Sequence, residues 1–213
     1  DGRETAPAAA MEKLFLDGKG EPLPFFEAVV GGRSVGVPGV PRLMETIHKR
    51  AGKLPWSDLF APAIGLAEAG FAVTPRLNAM ISADLGRLDG QAAARAYFFD
   101  PAGKPLPVGT VLRNPAYAQT LERIAAGGAD AFYSGPIAEA LVDTVRSHAT
   151  NPGLLTLEDL ASYRVIEREP VCAPYRGHEV CGMGPPSSGA LTIGQILGMI
   201  SHFDLTALGP NDP

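Results

Sequence analysis

The sequence lacks several short motifs that mark large enzyme classes. It has no HExxH zinc motif, no glycine-rich phosphate loop followed by Lys-Ser/Thr, and no Ser-x-x-Lys pair. Its histidines are few and lack metal-ligand spacing: His48, His148, His178 and His202. We therefore predict no metal site, no cofactor and no catalytic residue from motifs alone.

Charge and hydropathy argue against two further classes. The formal net charge is −5, and the Lys and Arg residues are scattered rather than gathered in a stripe, so we expect no nucleic-acid partner. The apolar stretches are short and broken by Gly, Pro or charge, so no segment is expected to span a membrane.

What is present is a chain able to build a core from short elements. Its 213 residues are 46% hydrophobic, and its 25 Gly and 20 Pro predict many turns. The order of patterns favours a helix-rich α+β fold. The predicted helices are residues 5–17, 41–51, 61–70, 73–88, 114–127, 137–148 and 190–200, with hairpins at 28–37 and 170–182 and a strand at 163–166.

The two cysteines lie nine residues apart in the second predicted hairpin. If Arg176-Gly177 is a two-residue turn, Cys172 faces Cys181 in a non-hydrogen-bonded pair, with Cα atoms about 4.5 Å apart. That distance allows a disulfide, which would imply an oxidising compartment. The alternative is two small buried thiols that are only cross-strand neighbours.

Arg3 is the candidate binding residue. It lies between carboxylates in Asp1-Gly2-Arg3-Glu4, and a guanidinium can grip a carboxylate through two parallel hydrogen bonds. The alternative is a surface ion pair with Glu4 or Asp1, which would contribute little.

Ser187-Ser188 is the serine cluster to weigh, because it follows two prolines and precedes Gly189. It fits either an anion-binding nest or the N-cap of the helix at 190–200. No base is visible near it, which favours the cap.

Six motifs give the chain a resemblance to the large subunit of gamma-glutamyltranspeptidases, and they occur in family order. They are Arg3-Glu4-Thr5-Ala6-Pro7, Gly36-Val37-Pro38-Gly39, Ala61-Pro62-Ala63-Ile64-Gly65-Leu66-Ala67, Gly128-Ala129-Asp130-Ala131-Phe132-Tyr133-Ser134-Gly135, Leu155-Thr156-Leu157-Glu158-Asp159-Leu160-Ala161-Ser162-Tyr163 and Met183-Gly184-Pro185-Pro186-Ser187-Ser188-Gly189. Ala190 departs from the pattern, because many relatives have a second Gly there.

The resemblance implies a partial N-terminal-nucleophile hydrolase, with residues 1–213 as the central part of the large subunit in one partial domain. A proenzyme of this kind cleaves itself, and the new N-terminal Thr of the small subunit attacks with its own amine as base. Arg3 matches the arginine that holds the α-carboxylate of the gamma-glutamyl substrate. The processing site and the nucleophile are expected beyond this chain, in a small-subunit partner.

Further expectations come with this resemblance. The activity would be hydrolysis or transfer of gamma-glutamyl groups from donors such as glutathione, in the periplasm or outside the cell. The chain alone is expected to be inactive, and exposed apolar surface would favour its self-association. A related acylase or amidase with another donor, and a non-catalytic scaffold that kept the fold, remain as alternatives.

Overall fold

The computed structural model describes residues 1–88, 90–206 and 208–209, and over these residues it is helix-rich with two small sheets. The α-helices are α1 (Phe25–Val29), α2 (Val40–Ala51), α3 (Ala61–Ala69), α4 (Pro75–Ala83), α5 (Leu85–Leu88), α6 (Ala92–Phe98), α7 (Pro115–Gly127), α8 (Asp130–Tyr133), α9 (Pro136–Arg146), α10 (Leu157–Ser162) and α11 (Gly189–Ile200). The strands are β1 (Phe71–Ala72), β2 (Val111–Leu112), β3 (Val171–Tyr175) and β4 (His178–Gly182). The predicted helix-rich α+β class is confirmed.

Proline and polar caps set where the longer helices begin. Helices α2, α3, α4, α7 and α9 each carry Pro at their first or second position, where its missing N–H costs nothing. Thr74 Oγ1 caps α4 by accepting from Leu77 N at 3.1 Å, and Asn114 Oδ1 caps α7 by accepting from Tyr117 N at 2.9 Å. These signals are local, and the helices predicted at 41–51, 61–70, 114–127 and 137–148 are confirmed, while the run predicted at 73–88 breaks into α4 and α5.

The chain divides into two compact units, the first spanning Gly2–Val165. Its core forms where one face of α9 meets α8, α10 and the segment around Val37. Leu155, Leu160 and Ala138 are fully buried there. The full set of buried core residues is Val37, Ala129, Tyr133, Ala138, Val142, Val145, Leu155, Leu160 and Tyr163.

The second unit consists of Asp1 and the residues from Ile166 onward, and its centre is the β3–β4 hairpin. The predicted register is confirmed, with Tyr175 opposite His178 and Cys172 opposite Cys181. Arg176 (φ 49°) and Gly177 (φ 82°) form the two-residue turn, whose positive φ values match a hairpin turn.

Alternate residues of this hairpin face opposite sides. Cys172 and Cys181 are exposed, whereas Ala173 and Val180 are half-buried. A Cβ added to Gly194 of α11 would lie 3.3 Å from Ala173 Cβ, so helix and strand pack closely. Within the described residues, no helix is both long enough and apolar enough to cross a bilayer.

The helix predicted at residues 5–17 is wrong. Thr5 instead bridges to Val37, and Leu16 bridges to Pro22. The Ala8 N–H donates to Asp159 Oδ1 at 2.8 Å, a residue 151 positions away in the sequence. The tertiary contacts of this segment prevail over the high local helix propensity of the alanine run.

The hairpin predicted at 28–37 is also wrong, because Asn151 takes the backbone groups that would have paired. Asn151 Nδ2 donates to the carbonyls of Glu27 and Val30, at 3.0 and 2.8 Å, and its own carbonyl accepts from Gly32 N at 2.8 Å. The result is the short helix α1 followed by turns.

The strand predicted at 163–166 is absent from the assigned strands of the described chain. Tyr163 ends α10, and Ile166 exchanges hydrogen bonds with Asp1, donating its N–H at 3.1 Å and accepting from the Asp1 nitrogen at 2.8 Å. Residues 130–133 form the one-turn helix α8.

Candidate active-site segment around Arg3

Arg3 is half-buried and lies at the start of the first unit, on a segment held by backbone pairing. Two residues further on, Thr5 N donates to Val37 O at 3.3 Å and Val37 N donates to Thr5 O at 2.8 Å. This antiparallel bridge fixes the direction of the chain that carries the guanidinium.

A buried tyrosine holds the main chain of Arg3 itself. The Tyr163 hydroxyl donates to the Arg3 carbonyl at 2.7 Å, and Tyr163 is only 4% exposed. Its ring stacks on Tyr133 with centroids 5.6 Å apart and planes 4° from parallel. Tyr133 is 2% exposed and donates from its own hydroxyl to the Pro38 carbonyl at 2.7 Å. We call these two residues the tyrosine stack.

Gly39 makes room for this arrangement. A Cβ at Gly39 would overlap both the Tyr163 hydroxyl and the Gly2 carbonyl, while a Cβ at Gly2 would overlap Leu43. Close approach of backbone to backbone is one of the situations that requires glycine. The segment before Arg3 therefore lies directly against the start of α2.

Asp159 anchors the same segment at its other end. Its carboxylate accepts from Ala8 N at 2.8 Å, from Thr156 N at 2.9 Å and from the Thr156 hydroxyl at 2.7 Å. Asp159 N donates in turn to Thr156 Oγ1, which completes a capping box on α10. Burial pushes the pKa of Asp159 up, but these hydrogen bonds outweigh it, so the pKa lies below the usual value of 3.8.

The hydroxyls of the tyrosine stack stay protonated at neutral pH. Burial raises the pKa of Tyr133 to about 12. Burial, followed by the nearby Glu4 carboxylate, also raises the pKa of Tyr163. Both groups therefore act as hydrogen-bond donors through the physiological range.

Arg42 and Glu45 of α2 brace the stack from the side. The Arg42 guanidinium lies 4.7 Å from the Tyr133 ring centroid and pairs with Asp130 at 2.7 Å and Glu45 at 3.3 Å. Burial raises the pKa of Glu45, but hydrogen bonds from Ala129 N and Lys49, with the charges of Lys49 and Arg42, bring it below 4.5. Glu45 thereby ties α2 to the turn that precedes α8.

Comparison with known proteins gives this geometry its context. The family model described as gamma-glutamyltranspeptidase matches residues 1–213. The chain belongs to the gamma-glutamyltranspeptidase family. It is 41% identical to a glutathione hydrolase proenzyme of Arthroderma benhamiae over 99% of this chain and 35% of that protein. It is 39% identical to an acylase ACY 1 proenzyme of a Pseudomonas species, over 98% of this chain and 38% of that protein.

Solved structures agree with this assignment. The chain matches the gamma-glutamyltranspeptidase of Helicobacter pylori with a TM-score of 0.91 and 36% identity, covering 100% of this chain and 60% of that chain. The predicted resemblance to the family is confirmed. The chain spans only about a third of the length of the curated relatives it matches.

Four of the six motifs that carried the resemblance meet in one place. They are residues 3–7, 36–39, 128–135 and 155–163, and they supply the Arg3 segment, Gly39, Tyr133 and Tyr163. Tyr133, Asp159 and Tyr163 belong to family motifs in the sequence, but the sequence analysis predicted no part for them in holding Arg3. Their sequence separation explains this, because only the folded chain shows that they hold the segment of Arg3.

A G-x-S-x-G pentapeptide at residues 32–36 also went unnoticed in the sequence. A nucleophile elbow requires its serine on a sharp turn from a strand into a helix. Ser34 instead lies in a run of turns, and its hydroxyl donates to the Val29 carbonyl at 2.7 Å. This pentapeptide therefore lacks the strand-to-helix turn of a nucleophile elbow.

The cysteine pair lies in the second unit. The structure joins Cys172 and Cys181 in a disulfide on the exposed face of the hairpin. Glu179 completes a group of three potential metal ligands whose ligand atoms lie within 4.8 Å of one another. Because the two sulfurs bond to each other, neither is a thiolate available to a metal.

Ser188 occupies the N-cap position of α11, as the structural alternative predicted, but its side chain makes no capping hydrogen bond. Ser187 N donates to the Gly184 carbonyl at 3.0 Å, which closes the turn before the helix.

Proposed function

We propose that residues 1–213 are the central part of the large subunit of a gamma-glutamyltransferase of the glutathione hydrolase type. The parent protein would cleave gamma-glutamyl amides such as glutathione and pass the gamma-glutamyl group to water, an amino acid or a peptide. Family membership over the whole chain and the glutathione hydrolase relatives support this proposal.

In this proposal, Arg3 binds the α-carboxylate of the gamma-glutamyl donor. The observation that carries it is that a buried tyrosine hydroxyl holds the Arg3 carbonyl and a buried carboxylate holds the Ala8 N–H. A surface arginine in a weak ion pair would not need its main chain anchored at both ends. An arginine whose main chain is already held loses less entropy when its guanidinium forms a bidentate pair with a carboxylate.

The nucleophile would come from a partner segment rather than from this chain. Relatives are named proenzymes, which fits a protein that is cut into two subunits. The N-terminal Thr of the small subunit would attack the amide, with its α-amine as base, and the chemistry would need no cofactor. The present chain would then bind substrate but would turn over none by itself.

We also propose a periplasmic or secreted location. The exposed disulfide of the hairpin supports it, because disulfides persist in oxidising compartments.

A second candidate is an acylase with a different donor. The 39% identity to an acylase ACY 1 proenzyme nearly equals the 41% identity to a glutathione hydrolase proenzyme, so overall similarity does not separate the two. The distinguishing group would be the α-amine of the donor, which a glutaryl amide lacks although it keeps a carboxylate.

The test uses the proenzyme that contains this chain and three p-nitroanilides. Gamma-glutamyl-p-nitroanilide carries both the α-carboxylate and the α-amine, 4-aminobutyryl-p-nitroanilide lacks the carboxylate, and glutaryl-p-nitroanilide lacks the amine. Arg3→Ala should lower kcat/KM for the gamma-glutamyl donor about 100-fold, because a charged bidentate pair contributes about 3 kcal/mol. The kcat/KM of Arg3→Lys should lie between those of the wild type and Arg3→Ala, since lysine keeps the charge but lacks the two-pronged guanidinium.

The same variants should leave turnover of the 4-aminobutyryl donor unchanged. An equal loss on all three donors would contradict a carboxylate-binding role. Preference of the wild-type protein for the glutaryl donor would replace the gamma-glutamyl assignment with the acylase.

A further inference from the structure

We propose that Tyr163 is a positioning residue for Arg3, which sets substrate affinity through one hydrogen bond without touching substrate. This inference rests on the proposed carboxylate-binding role of Arg3. Its basis is the 2.7 Å bond from the Tyr163 hydroxyl to the carbonyl of Arg3 itself. The residues are 160 positions apart, so this bond connects the Arg3 segment to the core of the unit.

The Tyr163 hydroxyl is held in place by the packing of its ring and by Gly39. The Tyr163 ring is 4% exposed and lies parallel to the ring of Tyr133, a stack that a phenylalanine at position 133 would keep. Gly39 lies so close that any Cβ there would overlap the Tyr163 hydroxyl. The Tyr163 hydroxyl therefore has a defined position, and its hydrogen bond fixes the position of the Arg3 carbonyl.

The consequence for binding follows from geometry. A guanidinium that grips a carboxylate bidentately tolerates little displacement, so a shift of the Arg3 main chain would weaken binding of the carboxylate. The Thr5–Val37 bridge fixes the chain only from the second residue after Arg3. The Tyr163 hydroxyl holds the carbonyl of Arg3 itself.

The competing explanation is that Tyr163 is simply part of the core. The tyrosine stack provides a matched control, because each of its members donates from a buried hydroxyl to a main-chain carbonyl at 2.7 Å. Tyr163→Phe and Tyr133→Phe remove the same atom from the same stack. Only Tyr163→Phe removes a bond to Arg3, so a purely structural role would make the two variants alike.

The experiment measures KM and kcat of the proenzyme containing this chain for the gamma-glutamyl and 4-aminobutyryl p-nitroanilides. Tyr163→Phe should raise KM for the gamma-glutamyl donor about 5- to 10-fold with kcat nearly unchanged, as loss of ground-state binding predicts. Tyr133→Phe should keep KM within about 2-fold. On the 4-aminobutyryl donor, both variants should match the wild type.

A double-variant cycle completes the test. On an Arg3→Ala background, Tyr163→Phe should have no further effect, because residues that act through one another are not additive. If Tyr163→Phe does not fold, para-fluorophenylalanine at position 163 fills the space of the hydroxyl without donating, and it should give the same rise in KM.

The two proposals fail in different ways. If Arg3→Ala leaves KM unchanged, the carboxylate-binding role is wrong. If Arg3→Ala raises KM but Tyr163→Phe behaves like Tyr133→Phe, the positioning role is overturned and the proposed function stands. An equal effect of Tyr163→Phe on the carboxylate-free donor would likewise overturn the positioning role.

Discussion

The two units of the chain differ in what holds them together. Every buried apolar side chain among the described residues lies in the first unit, and the last of them is Tyr163. In the second unit, α11 contains no charged residue, yet Leu191, Ile193, Ile196 and Met199 are each about half exposed or more. The first unit therefore has a core of its own, whereas the second relies on a hairpin, a disulfide and one packed helix face.

This difference shows which part of the chain can set its own geometry. The Arg3 segment is anchored by buried groups that belong to the first unit itself. A helix without charged residues that carries apolar side chains around most of its circumference is typical of the interior of a larger protein. The exposed faces of α11 agree with a chain that spans about a third of its curated relatives.

The largest effect should come from one substitution made in both units. Leu155 is fully buried and Leu191 is 46% exposed. Leu155→Ala should destabilise the chain by about 2–5 kcal/mol through lost burial and a cavity, and Leu191→Ala by less than about 1 kcal/mol. Denaturant unfolding followed by far-UV circular dichroism, which reports helices of both units, measures both. Equal losses would contradict the division into a unit with a core and a unit without one.

Removal of the disulfide should affect the second unit alone. The bond closes a loop with a sequence separation of 9 residues, and a loop of that size corresponds to roughly 2–3 kcal/mol of loop-closure entropy. Cys172→Ser/Cys181→Ser should therefore speed amide exchange in β3 and β4. Exchange in α9 serves as the internal control, and faster exchange there would show that the disulfide also supports the first unit.

Asp159→Asn should destabilise the first unit by about 2 kcal/mol at neutral pH, because it replaces a charged acceptor of buried hydrogen bonds. The pKa of Asp159 is lowered in the folded chain, so its contribution is present above its unfolded pKa and is lost as pH falls through the folded value. The difference between variant and wild type should therefore shrink below about pH 4.

Asp143→Asn, at an exposed position of α9, is the control for this acid dependence. Urea midpoints at neutral and acidic pH give the comparison. A stability difference that stays constant with pH would show that the Asp159 charge does not contribute.

The smallest effect on stability, but a visible one on association, should come from α11. We predict that the isolated chain self-associates through the exposed apolar positions of this helix. Ile193→Lys/Ile196→Lys should shift it toward monomer in concentration-dependent light scattering, with a stability change within about 0.5 kcal/mol. Thr192→Lys/Gln195→Lys adds the same charge at exposed polar positions of the same helix, and it should not shift the chain toward monomer. Equal shifts would assign the effect to net charge.

Where local chemistry decides structure, the sequence was sufficient. The β3–β4 register follows from a two-residue turn, and the starts of α4 and α7 follow from Thr74 and Asn114. Prediction was wrong where a distant side chain intervenes. Asp159 bonds Ala8 in the segment predicted as a helix, and Asn151 bonds Val30 in the segment predicted as a hairpin.

The candidate site divides in the same way. Arg3 was found from its residue type, its flanking charges and its family motif. Tyr163 was not found, because its role depends on a hydroxyl meeting a carbonyl 160 residues earlier. No pattern of local periodicity encodes such a contact.

The most direct test of the account is turnover of gamma-glutamyl-p-nitroanilide by residues 1–213 alone and after mixing with the separately expressed downstream segment of its parent protein. We expect no turnover by residues 1–213 alone and measurable turnover once the downstream segment is added. Arg3→Ala should remove most of the turnover of the mixture. Turnover by the chain alone would contradict it, as would silence of the mixture once the segment is shown to be folded and bound.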